Sequence, residues 1–444
     1  MAVTAPGTMA PTPTIDRARW RAFFASAVGW ACDGFETFAL VLAGPIALGQ
    51  LLAPDQRPRL SIYFGGLLAA TLFGWATGGI IAGVLSDYLG RRRTLMISIL
   101  WYALFAGLTA FSQAYWMLLV ARFMTGVGLG GEWGPGTAMI GEYWPPAKRG
   151  QAAGWLQSSF GFGFLIASGL WLVINPLGAA SWRYMFLIGV LPALLVLYFR
   201  TGVRDPEMWR HADEQRTAAK LRAAQQHELA PEERALTRFT LAYVATAPEF
   251  RRRLILLLLM SLASVLGWWT TSSWVPQYAA QLAGKASLNP QQWASLTGLT
   301  YNVGGIAGYI LLGVFADVWG RKPAAWCFFS GALVMDFVLF LGVHTSGTLL
   351  WVAAINGFFT AGQFSWMAIY LPELFPTAVR GSAISLVFNL SRYIAAFGPL
   401  LAGVLIASLG GISTAAALFG LIYILGIVVT PFVGPETKGK PLPA

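Results

Sequence analysis

The 444-residue sequence has few charged residues and very little cysteine or histidine. Only 11% of its residues are charged, which leaves too few polar side chains to cover a water-soluble globule of this length. The two cysteines, Cys32 and Cys327, lie in separate apolar stretches and form no disulfide or metal framework. None of the three histidines has the spacing of a metal ligand or of a catalytic base. We therefore expect no enzyme, no metal and no cofactor.

Hydrophobic residues make up 56% of the chain, which indicates an all-α integral membrane protein. Stretches of about 20 apolar residues are long enough to cross a bilayer as helices. We predict twelve transmembrane helices, at 22–48, 61–86, 94–113, 116–141, 151–174, 184–201, 252–282, 292–316, 324–344, 349–371, 382–408 and 413–433.

An internal repeat divides these stretches into two sets of six. Residues 83–92 read Gly-Val-Leu-Ser-Asp-Tyr-Leu-Gly-Arg-Arg, and residues 313–322 read Gly-Val-Phe-Ala-Asp-Val-Trp-Gly-Arg-Lys. A turn containing Glu142 and Arg149 likewise recurs with Glu373 and Arg380. A duplication of this kind is typical of two-halved transporters. The predicted parts are an N-terminal tail, a six-helix bundle, a central loop, a second six-helix bundle and a C-terminal tail, at 1–21, 22–201, 202–250, 251–433 and 434–444.

The net charge of +11 is concentrated in loops on one predicted side. Most of the 30 Lys and Arg residues lie beside the first helix, in the repeated turns and in the central loop. The positive-inside rule therefore places both termini and the central loop in the cytoplasm. A basic surface next to anionic lipid accounts for this charge without nucleic acid. The central loop, with short helices interrupted at Pro231, is expected to tether the two halves.

The repeated turn resembles the signature of the major facilitator superfamily. That resemblance implies two pseudo-symmetric six-helix halves, a monomer, and loop residues that clamp the cytoplasmic ends together in the outward-facing state. Asp87 can interact with a helix N-terminus, while the arginines reach carbonyls and acids; alternatively, the arginines follow only the positive-inside rule. The predicted gate residues are Asp87, Arg91, Arg92, Asp317, Arg321, Glu142, Arg149, Glu373 and Arg380.

Other motifs resemble particular branches of this superfamily. Asp33-Gly34-Phe35-Glu36 is similar to the Asp-Gly-Phe-Asp signature of the aromatic-acid and sialate proton symporters, with Glu in place of the second Asp. Residues 130–134 and 142–150 resemble the metabolite and sialate/lactate proton symporters. Residues 204–209 and 435–439 resemble the tails that follow the last helix of each half in sugar-porter relatives.

Five charged residues at membrane depth have no counterpart in the other half: Asp33, Glu36, Arg122, Glu132 and Arg392. Each costs about 2.5–3.5 kcal/mol at the centre of a helix by insertion scales, so each must be paired or hydrated. The first two acids share a helix face, and two such carboxylates do not both ionise readily. We predict that Asp33, Glu36, Arg122 and Glu132 couple transport to protons; a static ion pair is the alternative.

Arg392 lies about 16 Å from the predicted cytoplasmic end of its helix, near the bilayer centre. With Asn389 one turn earlier, its guanidinium offers forked donors to a carboxylate. Alternatively, it pairs with Asp336 or Glu132 and touches no substrate. The resemblance implies that five further residues line the same cavity as substrate-binding candidates: Gln157, Tyr301, Asn302, Gln363 and Trp366.

These patterns predict a proton-coupled importer of a small organic anion in the inner membrane. Candidate substrates are a monocarboxylate, an aromatic acid or a sialate-like sugar acid. One proton moving with one monoanion carries no net charge, so the pH gradient would drive uptake. Two other functions stay open: a neutral-sugar or multidrug carrier of the same fold, and a transporter-like sensor that signals through the central loop.

Overall fold

The computed structural model describes residues 13–225, 228–398 and 411–443, which are mostly helical and contain no β-strand. Short 3-10 and π turns join or extend several of the helices. The α-helices are α1 (Pro13–Leu51), α2 (Leu60–Leu89), α3 (Arg91–Thr109), α4 (Tyr115–Tyr143), α5 (Arg149–Ile174), α6 (Ser181–Ile188), α7 (Leu191–Thr201), α8 (Glu207–Ala224), α9 (Pro231–Thr237), α10 (Thr240–Thr246), α11 (Pro248–Lys285), α12 (Pro290–Trp319), α13 (Arg321–Phe337), α14 (Ser346–Thr360), α15 (Ser365–Tyr370), α16 (Arg380–Ala395), α17 (Ile412–Gly420) and α18 (Ile422–Val429).

Seven helical stretches within the described ranges are long and apolar enough to cross a membrane. They are Arg17–Leu51, Ile62–Leu89, Pro146–Leu177, Pro248–Lys285, Gln292–Trp319, Arg321–Gly342 and Ile412–Phe432. The other five predicted spans also contain helix, namely α3, α4, α6 with α7, α14 with α15, and α16. Residues 399–408 of the predicted eleventh span lie outside the described residues. The all-helical class is therefore confirmed, while the number of twelve spans stays a prediction.

The first helix begins earlier than the sequence pattern indicates. We assigned residues 1–21 to a tail, but α1 already starts at Pro13. Its first turns pack on the loop after α4. The ring centroids of Trp20 and Trp144 are 5.5 Å apart, and the Arg19 guanidinium carbon lies 5.6 Å from the Trp144 centroid. This aromatic packing stabilises helical turns that hydropathy alone does not reveal.

The two halves meet mainly along two helix pairs. In the N-terminal half, α2 packs on α4 and α1 on α5, whereas in the C-terminal half α12 packs on α14 and α11. Between the halves, α2 contacts α16 and α5 contacts α12. The second contact is close, because a Cβ atom on Gly313 would lie only 2.4 Å from the carbonyl oxygen of Gly150. Glycine at this position lets the two backbones approach.

Large apolar side chains are exposed around the outside of the bundle. Trp351 is 78% exposed and Leu172 is 74% exposed, while the buried charged residues lie between the helices. Water would make so extensive an apolar surface unfavourable, whereas the hydrocarbon chains of a bilayer solvate it. The distribution of side chains is that of a multi-pass membrane protein.

Candidate functional site

Two aspartates join the halves at one end of the bundle. We call it the charged end and define it by the loops before α3, α5, α13 and α16. Asp87, at the end of α2, accepts hydrogen bonds from the backbone amides of Gly381 at 3.0 Å and Ser382 at 2.9 Å. Asp317, at the end of α12, accepts from the amides of Gly150 at 3.0 Å and Gln151 at 2.9 Å. Each carboxylate therefore binds the N-terminus of a helix in the other half, where the helix dipole favours negative charge.

Glu142 is shared by arginines of both halves. Arg91 donates to it at 3.1 Å and to Asp87 at 2.8 Å, while Arg380 from the C-terminal half donates to Glu142 at 2.8 Å. All four side chains are fully buried. Removing any one of them would leave a buried charge uncompensated.

The repeat produces a matching cluster on the other side of the interface. Arg321 contacts Glu373 at 2.7 Å and Asp317 at 3.0 Å, and Arg149 from the N-terminal half contacts Glu373 at 3.1 Å. Each cluster therefore has a glutamate between one arginine of its own half and one of the opposite half. In this conformation the charged end of the bundle is closed.

Two further acids hold the N-termini of the helices that follow the signature turns. Asp205 accepts from the backbone amide of Arg92 at 2.9 Å, and Glu436 accepts from the amides of Arg321 at 2.9 Å and Lys322 at 3.1 Å. Burial opposes ionisation of Glu436, but backbone N–H donors outweigh it and lower the pKa of this carboxyl below its usual range. The branch motifs at 204–209 and 435–439 thus supply capping groups.

The turns themselves depend on glycine. Gly90 and Gly320 adopt φ values of +95° and +111°, a region that side chains with a Cβ atom rarely occupy. Of the predicted gate residues, Arg92 lies apart from the two clusters, because its side chain donates to the carbonyl of Thr201 at 3.2 Å.

The central segment and the C-terminal tail both dock on the charged end. Arg216 of α8 donates at 2.5 Å to the carbonyl oxygens of Asp87 and Ala378, one in each half. In the tail, the carbonyl of Pro443 accepts from Arg380 at 2.8 Å. The central segment is therefore attached to both halves in this closed conformation, and not only a flexible tether.

A narrow cavity lies in the middle of the bundle, between the two halves; in this closed conformation its volume is about 20 Å³, which is room for a single water molecule. Gln157, Arg392 and Tyr309 contribute polar side chains to its wall, and most of the remaining wall is aromatic, with indole N–H donors from its tryptophans. Gln157 accepts a hydrogen bond from Trp133 Nε1 at 2.9 Å. The ring side chains in the wall are Trp30, Trp75, Phe160, Trp268, Trp269, Phe364 and Phe388.

The guanidinium of Arg392 is held by rings and by one amide oxygen. Its carbon Cζ lies 3.7 Å from the centroid of Phe388 and 4.6 Å from that of Trp75, and Nη1 donates to Asn389 Oδ1 at 2.8 Å. The Nε atom has no partner among the described residues, and no carboxylate within this part of the chain forms an ion pair with the group. The cation is thus fixed in orientation, with hydrogen-bonding capacity unused.

Two ion pairs are buried within the N-terminal half. Arg122 of α4 donates to Glu36 of α1 at 3.0 Å, and Arg200 of α7 donates to Glu132 of α4 at 2.8 Å. All four side chains are at most 2% exposed. Pairing offsets the cost of placing each charge at membrane depth.

Asp33 is buried without such a partner. Neither of its carboxylate oxygens has a hydrogen bond to any described residue. It interacts electrostatically with Arg392 and with the Glu132–Arg200 pair, but it touches none of these cations. A buried carboxyl group without a partner can exchange a proton at lower cost than one held in an ion pair.

A second cavity, of about 280 Å³, lies between α1, α5, α11 and α12. Phe164 and Trp268 belong to its wall, together with Tyr301 and Asn302 of α12. Trp268 lines both cavities, and Phe164 packs on Phe160 of the central one at a centroid distance of 4.9 Å. This outer cavity is therefore separated from the central one by aromatic side chains.

Comparison with known proteins agrees with this arrangement. A family model described as "Sugar (and other) transporter" matches residues 16–444. The chain belongs to this transporter family. Its members are membrane transporters, which confirms the predicted resemblance to the major facilitator superfamily and the prediction that the chain is not an enzyme.

Curated relatives of the transporter span almost its whole length. A putative metabolite transport protein of Haemophilus influenzae is 31% identical over 429 residues, which cover 95% of this chain and 98% of that one. A cis,cis-muconate transport protein of Acinetobacter baylyi is 29% identical over 382 residues, or 84% and 86% of the two chains.

The transporter also matches solved structures. The proton:xylose symporter XylE of E. coli aligns with a TM-score of 0.76 at 20% identity, over 96% of this chain and 98% of that one. At this identity the match establishes the fold alone, which is that of the major facilitator superfamily.

The predicted substrate residues of the transporter separate into three places. Arg392 and Gln157 line the central cavity, with Asn389 behind the arginine, while Tyr301 and Asn302 line the outer cavity. Gln363 and Trp366 line neither of these two cavities. They form hydrogen bonds to Ser264, from Trp366 Nε1 to Ser264 Oγ at 2.9 Å and from Ser264 Oγ to Gln363 Oε1 at 2.6 Å.

The alternative pairings considered for Arg392 do not form. Glu132 is paired with Arg200, and Asp336 accepts from Asn356 Nδ2 at 2.7 Å and Thr271 Oγ1 at 2.8 Å. Of the two acids in the first helix, Glu36 has Arg122 as its counter-ion and Asp33 does not.

Sequence reasoning missed the role of Arg200, which ends the predicted span 184–201 and was counted only among the basic residues of the cytoplasmic side. It is instead 1% exposed and paired inside the bundle. Its position at the end of an apolar stretch gave no signal, because a terminal arginine usually extends to the membrane surface. The available clue was Glu132: an acid at membrane depth without a counterpart in the other half requires a nearby cation.

Proposed function

We propose that this transporter imports a small organic anion together with a proton, and that Arg392 binds the substrate carboxylate in the central cavity. The observation that carries the proposal is the guanidinium of Arg392, oriented by Asn389 and by rings and without an ion pair to any described residue. A cation buried at membrane depth is costly, and a substrate carboxylate would offset that cost with charge-assisted hydrogen bonds.

The walls of the cavity favour a flat, unsaturated or aromatic monocarboxylate. Seven ring side chains line the cavity, whereas the polar groups of the wall, apart from the indole N–H donors of its tryptophans, come from Gln157, Tyr309 and Arg392. A sugar would leave several hydroxyl groups without partners in this site, and each unmatched polar group costs binding free energy. The relative described as a cis,cis-muconate transport protein supports an unsaturated organic acid as the substrate class.

Proton coupling would arise from competition for the charge of Arg392. Asp33 interacts electrostatically with that guanidinium, so an ionised Asp33 weakens its attraction for a second carboxylate. A proton on Asp33 removes this competition and strengthens substrate binding by the same factor, since linkage is reciprocal. The Glu36–Arg122 and Glu132–Arg200 pairs contribute the fixed field around the site.

The protein would lie in the inner membrane with its charged end facing the cytoplasm, as the positive-inside rule predicts. The observed conformation, closed at that end, would then be the one that receives substrate from outside. Opening the charged end requires the Glu142 and Glu373 clusters to separate. The protein would work as a monomer surrounded by the lipid bilayer, without nucleic acid or cofactor.

The test is uptake of labelled acids by proteoliposomes with an inward proton gradient. Benzoate, lactate, sialate and a neutral sugar would be compared for the wild type, Arg392→Gln and Arg392→Lys. We expect uptake of a planar acid that falls at least about tenfold in Arg392→Gln, since a charge-assisted hydrogen bond contributes about 1.5–3 kcal/mol. Lysine should restore uptake only in part, because it lacks the planar fork.

A matched control is Lys285→Gln, which removes a positive charge from the exposed end of α11 and should transport like the wild type. Uptake of the neutral sugar, unaffected by Arg392→Gln, would contradict the organic-anion proposal. Binding of an acid without accumulation in sealed vesicles would instead favour a sensor.

A further inference from the structure

Asp336, near the end of α13, is a buried acid that the proposed mechanism does not use. Its side chain is inaccessible to solvent. Asn356 Nδ2 of α14 donates to Oδ1 at 2.7 Å, and Thr271 Oγ1 of α11 donates to Oδ2 at 2.8 Å. Both donors are neutral, so the carboxylate is oriented without being neutralised.

No cation compensates Asp336 within the described parts of the chain. The titratable groups that interact with it electrostatically are the phenols of Tyr301 and Tyr423. Gly420 of α17 also lies next to the carboxyl group, but it has no side chain that could carry a charge. The acids of the N-terminal half differ, since Glu36 and Glu132 each have an arginine. A lone carboxylate at membrane depth is expensive, and a bound proton removes that cost.

A chain of hydrogen bonds connects this group with the outer cavity. From Asp336 it runs through Asn356 to Thr360, whose Oγ1 lies 3.3 Å from Asn356 Oδ1. Thr360 Oγ1 is in turn 2.8 Å from the hydroxyl of Tyr301, and Tyr301 lines the outer cavity. Hydroxyl groups can pass on a proton, and the Asn356 amide, which cannot, can order a bridging water that does so.

We propose that Asp336 is a second proton-binding site, located in the C-terminal half and reached from the outer cavity through Tyr301 and Thr360. The proposal rests on the proposed function for its role in transport. The two donors by themselves favour the ionised carboxylate, whereas burial without a cation favours the protonated form, in which the Thr271 hydroxyl can turn to accept the carboxyl proton. A metal ion would require further oxygen ligands there. Within the described residues no group of three metal-ligating side chains is present.

The consequence for transport is electrical. Two protons moving with one monoanion carry one net positive charge inward, instead of none. A membrane potential of about 100 mV, negative inside, then favours accumulation by a factor of about 50. Neutralising Asp336 removes one proton and with it the response to voltage.

The first experiment examines the site without any substrate. Infrared difference spectra of the purified protein, recorded between acidic and alkaline pH, should contain the C=O band of a buried protonated carboxyl group. That band should disappear in Asp336→Asn and shift in frequency in Thr271→Val, which retains the carboxyl group but removes one donor. An unchanged band in both variants would overturn the proposal, and Thr271→Val keeps the test valid if Asp336→Asn does not fold.

The second experiment measures [14C]benzoate uptake driven by a potassium diffusion potential, without a pH gradient. The wild type should accumulate benzoate with voltage, and Asp336→Asn should lose this response while retaining exchange of internal for external benzoate. Asp336→Glu should recover it. A voltage response that persists in Asp336→Asn, or that requires Na⁺, would overturn the proposal. Absence of all benzoate uptake would count against the proposed function, while the infrared band would still decide about Asp336.

Discussion

Replacing Arg200 with alanine should destabilise the folded transporter far more than a typical arginine substitution. Arg200 is 1% exposed, and its Nη2 atom lies 2.8 Å from Oε2 of Glu132, which is 2% exposed. The variant leaves the Glu132 carboxylate buried without a cation. Breaking a buried pair from one side costs about 3–5 kcal/mol, so we expect a decrease of that size in the free energy of unfolding.

The measurement is urea unfolding in mixed micelles, applied to single and double variants of the pair. Arg204→Ala serves as the control, because Arg204 lies in the loop that follows α7, is exposed and belongs to no ion pair among the described residues. Its effect should stay within about 0.5 kcal/mol. The double variant Arg200→Met with Glu132→Leu should be more stable than Arg200→Ala, since it removes both charges together.

A decrease below about 1 kcal/mol in Arg200→Ala would refute the reasoning, because surface ion pairs contribute about that much or less. It would mean that water reaches Glu132 in the folded protein, or that another cation replaces Arg200. A double variant less stable than Arg200→Ala would show that the two side chains contribute by packing and not by charge.

Two other predictions concern the charged end. Asp87→Asn weakens the contact with the N-terminus of α16. Because a charged hydrogen bond contributes about 1.5–3 kcal/mol, the population should shift towards an open charged end by roughly 10- to 100-fold. Distances between spin labels on the two halves measure this shift, and the control Asp55→Asn, in an exposed loop, should leave them unchanged. Glu436 has a lowered pKa, so its stabilisation of the start of α13 is fully present above the usual carboxyl pKa and lost as pH falls through the lowered value. Hydrogen exchange at the amides of Arg321 and Lys322 should accelerate over that range, and an identical pH profile in Glu436→Gln would contradict this role.

The charged end was largely predictable from the sequence. A duplicated motif identifies Asp87 and Asp317 as equivalent, and glycines at fixed spacing indicate turns with positive φ. The pattern also predicted contact of the aspartate with a helix N-terminus. It did not reveal that each aspartate contacts the opposite half, because a repeat shows which residues of the two halves correspond but not how far apart they lie.

The interior was predictable only in part. The absence of counterparts in the other half correctly singled out Arg122 and Glu132 as residues that need partners, and Arg122 does pair with an acid of the first helix. The choice of Glu36 over Asp33 depends on how α1 and α4 are rotated about their axes. Two residues three apart share a helix face, so the spacing alone cannot distinguish them.

By itself, the sequence determined the membrane class, the twofold internal repeat and the residue types available for charge pairing, because hydropathy and repetition are properties of the chain order. Only the tertiary structure decided that Arg200 forms an ion pair inside the bundle and that Arg392 has none among the described residues. It also decided that Tyr301 lines the outer cavity while Gln363 is hydrogen-bonded to Ser264. The physical reason is that helical periodicity shows which residues share a face of a helix, but not which neighbouring helix that face contacts. Packing between the helices determines the contact.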